Sequence, residues 1–177
     1  DCDWREGHAT VAIKPRQIVE LQTWQRELEQ DYDYSMSWWN REQLCAQLDS
    51  PRYLGGLYDA NAGHLHPLKY ALGLGRAANE AGVRIFEASP VLRMNHGNKP
   101  VLHTAQGSVR CDFAVLAGNA LVKGVAPQLD RKIMPVGTYI AATAPLDADR
   151  AQALIRNGVA APDTNWALDY FGPSRAH

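Results

Sequence analysis

His64 and His66 are the closest pair of imidazoles in the chain, and on an extended strand this spacing puts both rings on one side. A metal site takes three or four ligands, and no Asp, Glu, His or Cys stands at a supporting spacing, so no metal is expected. His66, directly before Pro67, reads instead as a helix-entry residue. Cys2, Cys45 and Cys111 are odd in number and unrelated in spacing. They form neither a disulfide framework nor a CxxC pair, and read as thiols in a reducing compartment, the cytoplasm. No serine sits in a G-x-S-x-G elbow and no P-loop occurs. Gly73-Leu74-Gly75-Arg76-Ala77-Ala78 fits the G-x-G-x-x-A form of a dinucleotide fingerprint. That chemistry needs glycines at a strand-to-helix junction, where helix N–H groups face a pyrophosphate. Here the glycines fall inside a helix opened by Pro67, where they let the helix approach a neighbour, so the motif is rejected as a nucleotide site. By motif alone, no residue is assigned a catalytic role.

The elements that must position any chemistry are clearest at Pro51–Val91. Tyr53–Tyr58 reads as a strand in which Gly55-Gly56 allows close backbone approach or a bulge. Asp59–Gly63 is turn chemistry. Pro67 starts a helix with Leu68, Ala71, Leu72, Leu74 and Ala78 on its apolar face, and Gly82 stands at the left-handed position that ends it. Val83–Glu87 reads as a strand. Before this stretch, residues 4–13 contain an alternating run and predict a strand. Ile18, Leu21, Trp24, Leu28 and Tyr32 recur at spacings of three and four, predicting an amphipathic helix from Pro15 to about Tyr34. Asn40–Leu48 predicts a short helix capped by Asn40, and Trp38-Trp39 reads as a packing pair. After it, His96–Lys99 predicts a hairpin turn between Val91–Asn95 and Val101–Thr104, followed by a turn at Gln106-Gly107 and a short strand at Ser108–Arg110. Phe113–Ala117 is a continuous apolar run of the kind found in strands buried on both faces. Lys132–Pro145 is extended and rich in β-formers, Asp147–Asn157 predicts a helix, and Trp166–Phe171 a last strand.

The 177 residues suit one domain, or a domain with part of another. Hydrophobic residues at 46% and charged residues at 21% are ordinary globular usage. A formal net charge of −1 without charge blocks argues against nucleic acid and against an anionic membrane surface. No apolar run reaches the length of a membrane span. The chain begins Asp-Cys-Asp-Trp and ends Ser-Arg-Ala-His, and both ends are read as cut.

At Gly55–Val91 the chain resembles the D-amino-acid oxidase-like family of FAD-dependent oxidoreductases, which includes glycine and sarcosine oxidases. The glycine pair, acidic turn, Pro-started helix and Ala-Gly-Val followed by a strand look like the segment that returns from substrate domain to flavin domain. Cys111–Ala120 is similar to the family's buried strand and glycine turn beside the cofactor, and Ile133–Leu146 to its strand leading back into the substrate domain. Within the family, the Asp33–Trp39 segment, PRYLGGLYDA, GHLHPL and PVGTYI look most like the γ-glutamylputrescine oxidoreductases.

The resemblance implies an α/β (α+β) fold. A substrate-binding domain with a mixed or antiparallel sheet and flanking helices would occupy residues 1–60 and 129–177, and a partial FAD-binding βαβ portion residues 61–128. It implies oxidation of a primary or secondary amine, a small-molecule substrate, with FAD as cofactor and O₂ as acceptor. By position, Val91 matches the residue whose backbone pairs with the adenine of FAD. Ala117 and Gly118 match the turn that passes its ribose and pyrophosphate. Tyr139 and His66 match substrate-side or flavin-side contacts, against packing in a sheet and at a helix entrance. The family's N-terminal GxGxxG segment and its glycine-rich turn at the isoalloxazine are not in this sequence, so the chain alone is expected to bind FAD weakly or not at all. Two readings compete: a non-catalytic module that keeps the fold and self-associates through the bared surface, and a glycine- or sarcosine-type oxidase.

Overall fold

The alternating run near the start forms the central strand β1, Arg5–Ala12, whose buried residues include Ala9, Val11 and Ala12. The structure is a computed structural model and describes residues 1–122 and 124–173. Pro15, whose missing N–H costs nothing in a first helical turn, opens α1, Pro15–Tyr32. Leu21 and Gln17 are its buried residues. Asp33 ends it in a left-handed conformation, φ 52°, its N–H donating to the Leu28 carbonyl. Trp38 and Trp39 lie in a strand that their spacing alone does not announce, β2, Ser37–Asn40. Asn40 then caps α2, Arg41–Cys45, its side chain accepting from the Gln43 N–H while the Gln43 side chain accepts from the Asn40 N–H. This is the reciprocal capping expected of such a start.

β3, Gly55–His64, pairs antiparallel with β1 on one edge and with β2 on the other, giving the order β1-β3-β2. The expected turn at Asp59–Gly63 is not a turn: the strand runs through it. Its turn-forming residues make a bulge instead, because the register jumps between Glu6↔Gly63 and His8↔Asp59. Asp59 Oδ1 accepts from the Asn61 and Ala62 N–H groups at 2.9 and 3.2 Å, supplying partners where the ladder is broken. On β1, Gly7 takes φ +97° at the bulge, and a Cβ there would stand 2.9 Å from the Tyr58 hydroxyl. Close approach explains Gly55 too: a Cβ would lie 2.7 Å from the Trp38 ring.

The free edge of β1 is taken by the C-terminal part of the chain. Parallel bridges join His8 to Ala160 and Val11 to Asp163, and the Ala9 N–H donates to the Ala160 carbonyl at 3.0 Å. β7, Ala161–Pro162, pairs antiparallel with β8, Tyr170–Phe171, so the sheet is mixed. Ala9, Val11, Leu44, Leu48, Tyr53, Val159 and Ala161 form the core, with Ile13, Trp39, Tyr58, Ile155 and Phe171 against it. Trp39 stacks on Tyr58 with centroids 4.2 Å apart, so this half of the tryptophan pair packs. Buried polar groups tie the C-terminal part down. Gln17 accepts from the Ile13 and Lys14 N–H groups, both at 2.8 Å, and donates to the Thr164 carbonyl. The buried Asp163 carboxylate accepts from Asn165 and from the Asp169 N–H and faces Arg52 at 3.8 Å. Burial pushes the Tyr53 phenol up, with Arg52 opposing.

α3, Pro67–Glu80, begins and ends where the sequence places it, but it buries none of its residues. The expected helix near Asp147 forms as Ala148–Leu154, capped by the Asp147 side chain accepting from the Arg150 N–H.

The chain divides into two units: residues 1–78 with 143–177, just described, and residues 79–142. The second unit contains an antiparallel meander of β4, Arg93–Asn95, β5, Val101–His103, and β6, Ser108–Arg110, with the hairpin expected at His96–Lys99. It also holds a 3₁₀ turn at Asn119–Val122 and a four-residue helix at Pro127–Asp130. Val83–Glu87 and Phe113–Ala117, expected as strands, are not strands, and Phe113 and Val115 are each 89% exposed rather than buried. A strand needs a neighbour for its N–H and C=O groups, and the described residues supply none to either segment. Fold class is nevertheless as read: helices with small antiparallel sheets in a mixed α/β chain.

Candidate functional site

His66 sits at the entrance of α3, where its N–H donates to the Cys2 carbonyl and its carbonyl accepts from the Tyr70 N–H. Its Nδ1 accepts from the Lys69 N–H at 3.4 Å, so the ring works as a helix cap. His64 Nε2 donates to the Gly158 carbonyl at 2.9 Å. The two imidazoles of the His-x-His motif are thus engaged separately. Among the described residues no group of three His, Cys, Asp or Glu is placed to hold a metal, and Cys2, Cys45 and Cys111 are free thiols.

Val91, Ala117, Gly118 and Tyr139 all belong to the second unit. Val91 is half-buried just before β4, while Ala117 and Gly118 are exposed in the turn before the 3₁₀ helix. Tyr139 is 96% exposed on a segment outside all helices and strands. The Gly118 carbonyl accepts from the Leu121 N–H at 2.8 Å.

Sequence reasoning did not find the convergence of titratable groups in the first unit. His8 on β1 is the register partner of Asp59 on β3. Asp59 is 8% exposed and accepts from the Tyr34 hydroxyl at 2.7 Å, besides the two bulge N–H groups. The hydrogen bond to Asp59 holds the Tyr34 phenol above its usual range. Burial lowers the His8 pKa below 6.5, the Asp59 charge opposes this, and His64 adds to it. His8 also faces Tyr170, centroids 6.1 Å apart. His8 and Asp59 are 51 positions apart, and only the strand register brings them opposite. The signal in the sequence was a His on a run that reads as a strand and an Asp directly after another, at the start of a stretch that reads as a turn. Asp59 is satisfied by local donors, so this cluster holds the bulge and the end of α1 together and leaves His8 as its titrating member.

The model of the family described as FAD dependent oxidoreductase matches residues 1–176. The chain belongs to the FAD dependent oxidoreductase family. Within that family it is 40% identical over 176 residues to a probable oxidoreductase, OrdL, of Haemophilus influenzae, covering 96% of this chain and 41% of the relative. It is 34% identical over 172 residues to the γ-glutamylputrescine oxidoreductase of Escherichia coli, covering 97% and 40%. The chain therefore spans about 40% of the length of these curated relatives. Solved structures with a similar fold include L-proline dehydrogenase from P. horikoshii, with a TM-score of 0.73, 13% identity and coverage of 98% of this chain and 47% of that one. Glycine oxidase from Geobacillus kaustophilus matches at a TM-score of 0.65 and 18% identity, over 73% and 36%.

The family implies FAD. Directly before Val91 lies a cavity of about 40 Å³ lined by Ala88, Ser89, Pro90, Thr104, Ala105 and Gln106, which Val91 itself does not line. That holds one or two waters, against roughly 300–1,000 Å³ for a cofactor-sized site. The space beside Gly118 is taken by its own turn, since a Cβ there would stand 2.9 Å from Val122 Cγ1. Gly73 and Gly75 lie inside α3, away from any strand-to-helix junction. These residues do not enclose FAD by themselves. No helix among the described residues is long and apolar enough to cross a membrane.

Proposed function

We propose that this chain is a portion of an FAD-dependent oxidoreductase that oxidises an amine of the γ-glutamylputrescine type with O₂ as acceptor. In this reading residues 1–60 and 129–177 belong to the substrate domain and residues 61–128 to the flavin domain. Val91, Ala117 and Gly118 lie on the cofactor side, and Tyr139 and His66 toward substrate or flavin. The observation that carries the proposal is the 34% identity, over 97% of this chain, to the E. coli enzyme whose name specifies that substrate. What the chain's own residues contribute is support: the sheet of the first unit, braced on α1 by Gln17 and the Asp59 cluster, is a rigid platform, and rigid platforms hold reacting groups in place.

The test is to place this chain in the frame of the H. influenzae relative, replacing its matched 176 residues, and to assay γ-glutamylputrescine, glycine and sarcosine with oxygen uptake. Turnover of γ-glutamylputrescine at least tenfold above the other two is expected. Preference for glycine or sarcosine would replace the substrate assignment, and flavin-loaded protein without turnover of any amine would remove the amine-oxidase reading.

A further inference from the structure

We propose that Asn157-Gly158 is a self-modification site, at which the folded chain converts Asn157 through a cyclic imide to aspartate and isoaspartate. The reaction needs only water and hydroxide, and it is independent of the amine-oxidase reading.

The chemistry starts from one dipeptide. Asn157-Gly158 is the single Asn-Gly pair among the 177 residues. An asparagine side chain carries its amide carbon within reach of the next residue's nitrogen, and a following glycine has no Cβ to obstruct the approach. Gly158 N gives its proton to hydroxide and forms a bond to Asn157 Cγ, the negative charge passing to Oδ1. The Cγ–Nδ2 bond then breaks, and Nδ2 takes a proton from water and leaves as ammonia, which regenerates hydroxide. Water opens the resulting ring. Cleavage of the new N–Cγ bond leaves aspartate. Cleavage of the original peptide bond leaves isoaspartate, in which the main chain runs through Cβ and Cγ.

The fold supports both charged stages. Oδ1 of Asn157, where the charge develops, already accepts from the Val159 N–H at 3.1 Å, a donor placed as in an oxyanion hole. Gly158 holds φ +69°, and a Cβ there would stand 3.1 Å from Arg5 Nη1. A guanidinium this close favours loss of the Gly158 amide proton, because an opposite charge stabilises the anion. His64 Nε2 donates to the Gly158 carbonyl at 2.9 Å and pins the glycine in place. The opposing contact is the Gly158 N–H, which donates to the Ile155 carbonyl at 3.2 Å, the long end of the hydrogen-bond range. Asn157 is exposed, so water and hydroxide reach it.

The position gives the modification a consequence. Directly after Gly158, Val159, Ala160 and Ala161 are buried, and the Ala160 carbonyl accepts from the Ala9 N–H on β1 at 3.0 Å. An aspartate at 157 keeps an acceptor for the Val159 N–H and sets a negative charge beside Arg5, so the segment stays seated. Isoaspartate lengthens the main chain by one carbon just ahead of these buried residues. That moves the Gly158 carbonyl off His64 and loosens the pairing with the edge of β1, a local opening rather than a global one.

The experiment incubates the chain at pH 8.5 and 37 °C and follows each asparagine by peptide mass spectrometry, with electron-transfer fragmentation to separate aspartate from isoaspartate. Asn157 should convert at least tenfold faster than Asn61 and Asn98, and at least as fast in the folded chain as in urea. Arg5→Gln should slow the folded-state conversion at least threefold, Arg5→Lys should restore it, and Asn157→Gln should abolish it. Chain carrying isoaspartate at 157 should exchange the Ala9 amide at least tenfold faster than fresh chain, whereas Asn157→Asp should exchange it at the fresh-chain rate. Conversion no faster than at Asn61 and Asn98, or slower in the folded chain than in urea, overturns the proposal. Equal slowing by Arg5→Gln and Arg5→Lys overturns the role given to the guanidinium, since a lost charge cannot then be the cause.

Discussion

His8 is the residue with the most definite consequence. Burial depresses its pKa in the folded chain below 6.5 despite the Asp59 carboxylate opposite. The unfolded chain therefore binds its proton more readily, and linkage makes this contribution to stability complete above pH 7 and progressively lost as pH falls through about 6.5 toward the folded value. Urea unfolding at pH 7.5 and 5.5 should show the loss, and His8→Gln should reduce the difference between the two. A His8 titration by NMR with a midpoint above 6.5 would reverse the sign. Gln17 gives a second test. Its side chain makes three hydrogen bonds in a site where it is 1% exposed. Gln17→Ala leaves the Ile13 and Lys14 N–H groups without that acceptor, and a destabilisation of about 2–4 kcal/mol is expected in urea titrations. Gln17→Glu keeps the acceptor but sets a carboxylate oxygen against the Thr164 carbonyl in a buried site, so it should cost more at neutral pH than at acidic pH, where the protonated acid can donate to that carbonyl.

The β1–β3 bulge sets what happens among the elements. Gly7 holds φ +97° beneath the Tyr58 ring, and Gly7→Ala combines backbone strain of about 1–3 kcal/mol with a clash against the hydroxyl. Tyr58→Phe removes that hydroxyl and should recover part of the loss, a coupling that a double-mutant cycle would reveal. The same ring stacks on Trp39. Trp39 is half-buried, so Trp39→Ala should cost about 2–3 kcal/mol, less than a fully buried ring, and β2 should lose exchange protection before β1. α3 behaves differently: with no residue buried, Leu72→Ala in the isolated chain is expected to change stability by less than about 0.5 kcal/mol.

For the whole molecule, the two units predict unequal behaviour. The first has a packed core on both sides of β1; the second has Ala126. The isolated chain should bind ANS strongly, purify without visible flavin absorbance, and show no thermal shift with added FAD. A yellow preparation, or a shift of several degrees with FAD, would overturn the account of the cofactor side.

The sequence by itself determined what is local. β1, α1, α3 and the β4–β5 hairpin follow from alternation, three-and-four spacing, Pro15, Pro67 and the His96–Lys99 turn, because each depends on residues a few positions apart. Asn40 announced its cap for the same reason. Tertiary structure decided everything that needs a distant neighbour. Asp59–Gly63 has the composition of a turn, yet β1 alongside draws it into a strand and converts the turn into a bulge. Trp38-Trp39 is a strand because β3 offers an edge, and His8 meets Asp59 only through that register. Phe113–Ala117 shows the converse: its apolar run asks for a sheet, but a strand is a property of two segments, and among the described residues the second is not there.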